Sequence, residues 1–88
     1  MSSDAAMIRA FMANLVDKAG GVDAAAALIG ARLGCDVSKG TISKRMAGHL
    51  DWPLVEILAL EKVLGDPCVS RWLAGAVPEV AQARSLMS

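Results

Sequence analysis

Glycine and proline constrain this sequence more than any other feature. They divide an apolar, alanine- and leucine-rich chain into pieces too short for anything but a bundle of small helices. The first piece runs from Asp4 to Ala19, with Ile8, Phe11, Met12, Leu15 and Val16 on one helical stripe, and Gly20-Gly21 ends it. A second spans Asp23 to Leu33, with Asp23 as the expected N-cap and Leu28, Ile29 and Leu33 as its apolar face; Gly34 stops it. The third spans Ser38 to Ala47. Ser38 caps it, Ile42 and Met46 face inward, and Gly48 ends it. A fourth spans Trp52 to Leu64, with Asp51 as cap and Pro53 in the first turn, where a missing N–H costs nothing. A short fifth piece covers Val69 to Ala74, and Glu79 to Met87 forms a last helix or a frayed tail. No segment alternates with strand periodicity. The expected fold is therefore all-α, a compact bundle of four to five short helices containing a helix-turn-helix. Residues 1–75 form the domain and 76–88 a C-terminal tail or interaction segment.

With 88 residues the chain is expected to be one domain. A chain of this size buries only about 60–65% of its unfolded surface. Its 55% hydrophobic content exceeds what so small a core needs and points toward self-association. The longest uncharged apolar run, Ala24 to Ala31, is far shorter than the roughly 20 residues of a spanning helix, so no membrane insertion is expected. The start, Met1-Ser2-Ser3-Asp4, carries an acid where a secretory leader carries base. A cytoplasmic, nucleoid-associated protein is expected, and Cys35 and Cys68 read as reduced, buried thiols rather than a disulfide framework.

The formal net charge is zero, which excludes a bulk polycation but not a local basic face. Between Gly30 and Leu50 the bases Arg32, Lys39, Lys44 and Arg45 meet one acid, Asp36, for a net +3, and the rest of the chain carries −3. A basic helix of small polar residues behind a glycine-containing turn has what major-groove reading requires. Short side chains allow close approach, donors reach base edges, and backbone N–H groups at the helix start can meet a phosphate. Lys39, Thr41 and Lys44 are the base-edge candidates. Ser38, Arg45 and, on the preceding helix, Arg32 are the phosphate candidates, and Ser43 completes the set. The alternative for all of them is the solvated face of a surface helix.

The segment Val37-Ser38-Lys39-Gly40-Thr41-Ile42-Ser43-Lys44-Arg45 resembles the turn and recognition helix of phage-type Cro and lambda-repressor-like regulators. Gly20-Gly21 with the alanine-rich helix is similar to their second helix. Trp52-Pro53-Leu54 through Leu60-Glu61-Lys62-Val63-Leu64-Gly65, then Val69-Ser70-Arg71, resembles the helix and tail that come after the recognition helix in small Cro-like proteins. The sequence departs from the family pattern in a lengthened connection. With Gly34 as turn glycine, about two residues, Cys35 and Asp36, are extra, and with Gly30 more. The resemblance implies a transcriptional regulator of phage or phage-like genes that binds a two-fold operator as a homodimer, through the first helix or the segment after Gly65. The alternative is a protein-interaction module, an antitoxin-like or RNA polymerase-binding adaptor using the same helical surface.

Other chemistries find no support. Cys35, His49 and Cys68 have no metal-ligand spacing and lack a fourth ligand. Ser38-Lys39-Gly40-Thr41 has a superficial phosphate-loop look, but in the wrong order and after no strand. A single histidine and no Gly-x-Ser-x-Gly leave nucleophilic catalysis without a base or an elbow. No cofactor and no enzymatic activity are expected. His49 is a phosphate contact or a plain surface residue. Trp52 reads as core, and Trp72 as core or interface, rather than as stacking platforms.

Overall fold

A computed structural model describes residues 3–76, which form five helices and no strand. Helix α1 is Ser3–Ala19, α2 Val22–Leu33, α3 Lys39–Met46, α4 Leu54–Leu64 and α5 Cys68–Ala76. The all-α bundle expected from the sequence is thus the observed fold. The expected last helix or tail, Glu79 to Met87, lies outside the described residues.

Each helix buries one stripe in a shared centre. Met12, Leu15 and Val16 come from α1, Ala25, Ala26 and Ile29 from α2, Ile57 and Leu60 from α4, and Val69 from α5. Ile8 and Phe11 continue the α1 stripe half-buried at its edge. Small alanines on the inner face of α2 let its backbone approach both α1 and α4, while α1 touches all four other helices and α5 packs on α1 and α4. Helix α3 contributes one fully buried side chain, Ile42, with Met46 half-buried beside it. That single anchor leaves most of the α3 surface outside.

The helix starts differ from the sequence expectation in two places. Asp23 lies inside the first turn of α2. The turn through Gly20 and Gly21 is already complete, with the Gly21 N–H bonded to Val16 O, so Val22 is helical. Helix α4 begins at Leu54 rather than Trp52, and Pro53, not Asp51, holds the N-cap position with ψ 142°. Steric pressure from a proline ring pushes the preceding residue out of helical conformation, which keeps Trp52 outside the helix. Helix ends follow the expected glycines closely. Gly34 and Gly65 stand in left-handed conformation, with φ 71° and 67°.

Two polar contacts tie α5 to the bundle. Glu61 is almost fully buried on α4, and its carboxylate accepts the Ser70 N–H at 2.9 Å and the Ser70 hydroxyl at 2.6 Å. A carboxylate here also complements the positive end of the α5 dipole. Asp66, just before α5, pairs with Lys18 of α1. The hydrogen bond from Lys18 holds the Asp66 carboxyl below the usual carboxylate range, helped by the charges of Lys18 and Arg71. Phe11 and Trp72 meet at 6.1 Å between ring centres, closing the α1–α5 seam. Cys68 is half-buried, and burial, with Asp66 and Glu61 nearby, pushes its thiol pKa up. Cys35, expected to be buried, is exposed on the α2–α3 connection.

Truncating the α3 anchor, Ile42→Ala, is expected to cost about 3 kcal/mol, read as a lower urea midpoint. The Asp66 carboxyl titrates lower in the folded chain than in the unfolded one. Its contribution is therefore complete above the ordinary aspartate value of about 3.9 and lost as pH falls through the depressed folded value. Thermal melts across the acid range should show wild type losing stability there relative to Asp66→Asn; parallel curves for the two proteins would contradict this role.

Candidate nucleic-acid interface

The α2–α3 unit is shaped by backbone contacts. The Gly30 carbonyl accepts N–H groups from both Gly34 and Cys35, at 2.8 and 3.1 Å, so the chain reverses tightly at the end of α2. The connection then folds back over α2 so closely that a Cβ on Gly30 would stand 2.6 Å from the Cys35 carbonyl oxygen. The two glycines thus divide the work. Gly34 supplies the left-handed turn, and Gly30 supplies the space under it. The lengthened connection, Gly34 to Ser38, is accommodated as this returning arc.

Ser38 starts α3 as expected. Its backbone is extended, its Oγ accepts the Thr41 N–H at 3.1 Å, and the two hydroxyls lie 2.9 Å apart. A side-chain cap of this kind contributes about 1 kcal/mol. Thr41 is consequently half-buried and occupied with the cap rather than turned fully outward. The exposed residues of α3 and its end are Lys39, Gly40, Ser43, Lys44, Ala47, Gly48 and His49. No acid is among them. Lys44 forms no ion pair among the described residues. Lys39 reaches Asp23 only at 4.0 Å, with both side chains largely in solvent, and such a pair is worth 0–1 kcal/mol at most. Lys39 can therefore leave it for a stronger anion.

Two of the seven candidate residues are placed elsewhere. Arg45 turns inward to an ion pair with Glu56 of α4, the two side chains only 13% and 12% exposed. Its guanidinium lies 5.9 Å from the centre of the half-buried Trp52 ring, within cation–π range. Arg45 Nε and Trp52 Nε1 are buried without a hydrogen-bond partner among the described residues. Arg45 thus joins α3 to α4 instead of offering itself to a phosphate. Arg32 lies over α4 as well, in a groove with Leu33, Val55, Leu58, Ala59 and Lys62. The groove on the Arg45 side of α3, lined also by Asp36, Ser38, Thr41 and Glu56, holds two acids to one base. The basic face is therefore narrower than the sequence count suggests, and its charge rests on Lys39 and Lys44.

The structure adds one base that the sequence pattern does not single out. The Arg9 guanidinium of α1 lies against Gly48, its carbon 3.0 Å from where a Cβ there would stand. It thereby brings a cation to the C-terminal end of α3, where the helix dipole favours one. Nothing in the spacing of Arg9 or of Glu56 points to these positions, because both contacts join separate helices.

Among the described residues no cluster of histidine, cysteine, aspartate and glutamate could hold a metal ion, and no helix is long and apolar enough to cross a membrane. No protein-family model, curated protein or solved structure matches the chain.

Because the Arg45–Glu56 pair is largely desolvated, removing one partner strands the other. Arg45→Met and Glu56→Leu should each lower unfolding free energy by about 3 kcal/mol, and the double variant Arg45→Met/Glu56→Leu by clearly less. A thermodynamic cycle in which the single effects simply add would show that the pair does not join the helices.

Proposed function

We propose that this chain is a sequence-specific double-stranded DNA-binding protein, a transcriptional regulator of the phage type, that lays α3 in the major groove. The observation carrying the reading is the outer surface of α3. It is a short, side-chain-capped helix presenting Lys39, Gly40, Ser43 and Lys44 with no acid and only one fully buried anchor. Gly40 and Ser43 let the backbone approach the groove floor, and Lys44 reaches base edges from the last turn of the helix. Lys39, freed from Asp23, meets base or backbone at the helix start, and Arg9 and His49 supply phosphate contacts at its far end. Ser38 and Thr41 position the helix rather than touch DNA, and Arg45 fixes its tilt. The resemblance to Cro-like regulators implies binding as a homodimer, with half-sites about 34 Å apart.

A second reading is a protein-interaction module, antitoxin-like or polymerase-binding, on the same surface. It is favoured by the charge placement: of the four bases counted in the α2–α3 region, Arg45 is neutralised by Glu56 and Arg32 lies over α4. No cofactor enters either reading, and among the described residues no cluster of histidine, cysteine, aspartate and glutamate supports an enzymatic one.

Lys39→Ala/Lys44→Ala is expected to weaken binding at least tenfold at moderate salt while leaving the thermal melt unchanged. With Lys44 on base edges and Lys39 on base or backbone, the slope of log affinity against log salt should flatten by no more than about 0.9; a flattening of about 1.8 would assign both lysines to phosphates. Selection from a genomic DNA pool, with sequencing of the retained fraction, tests the reading directly. Enrichment of one two-fold motif supports it, and no retention even at low salt overturns it in favour of a protein partner.

A further inference from the structure

Helix α4 carries apolar side chains all round, which is the pattern of a helix covered on every side. Its inner face, Ile57, Leu60 and Leu64, packs in the core. Its two glutamates are both used within the chain, Glu56 by Arg45 and Glu61 by Ser70. What remains outside is Leu54 at 60% exposure, Val55 at 59%, Val63 at 42%, the half-buried Leu58 and the lone charge of Lys62. The end of α2 adds Leu33, 39% exposed, and Arg32. Arg32, Leu33, Val55, Leu58, Ala59 and Lys62 line a groove of about 200 Å³. No acid lines it, and neither Arg32 nor Lys62 forms an ion pair among the described residues.

We propose that this α2–α4 groove docks an acidic amphipathic helix of another protein, its aliphatic side chains on Leu33, Val55 and Leu58 and its carboxylates on Arg32 and Lys62. Charge decides the occupant. A second copy brought up by a two-fold axis would set Arg32 and Lys62 against their own counterparts, like charge against like. A nucleic acid would match the cations but leave the leucine and valine surface without a partner. An amphipathic helix with acidic flanks satisfies both, in the helix-in-groove mode. The site is separate from the outer face of α3, so one chain could hold DNA and this partner together, and the proposal does not depend on the DNA reading.

The test uses the full chain and a fluorescein-labelled helical peptide with leucines at i, i+4 and i+7 flanked by glutamates, beside a twin in which lysines replace the glutamates. Fluorescence anisotropy should show saturable binding of the glutamate peptide and at least tenfold weaker binding of its twin. Arg32→Glu/Lys62→Glu should invert that preference. Val55→Ser, a change in an exposed side chain, should weaken binding with an unaltered melt, and Lys39→Ala/Lys44→Ala should leave it unchanged. Absent binding, equal affinity for both peptides, or a preference that survives charge reversal would overturn the proposal. So would a dimer in sedimentation that Val55→Asp dissociates, which would assign the face to a second copy.

Discussion

An isolated helix of eight residues is unstable in water, so α3 exists only because the bundle holds it. Three attachments hold it. Ile42 is buried in the common core, the Ser38 side chain closes the first turn, and the Arg45–Glu56 pair ties its last turn to α4. The first provides most of the free energy. The other two fix orientation, since a charge-paired side chain lying against Trp52 permits far fewer tilts than an aliphatic contact does. The exposed surface of α3 thus inherits its rigidity from residues that never reach it.

Much of the architecture is legible in the sequence. The five helices, the α1 stripe, the Ser38 cap and the closing glycines all obey local rules that operate within one turn of helix. Departures arise where a neighbour overrides local preference. Asp51 and Asp23 look like caps, yet the glycine turn before α2 and the proline before α4 move each start by one or two residues. The candidate interface is less legible for a related reason. Arg45 belongs to a basic run by sequence, but its partner is eleven residues away on another helix. Arg32 sits among the same bases by sequence, while its direction around α2 takes it to α4. Counting charges along a segment cannot show which of them the fold has already matched.

The bundle also distributes its polar groups economically. Nearly every acid near the α-helical seams has a defined role: Glu56 holds α3, Glu61 holds α5, and Asp66 ties α5 to α1. With Glu56 turned to Arg45 and Glu61 to Ser70, the α2–α4 groove is lined by cations without an acid.

The returning arc over Gly30 carries a different kind of consequence. Sequence drift can exchange one aliphatic core residue for another and repack around it, but the group that presses on Gly30 is a main-chain oxygen, present whatever residue occupies position 35. No compensating side-chain change elsewhere can trim it. Among the alanines of α2, position 30 thus has no room for even one methyl group unless the main chain of the arc itself moves.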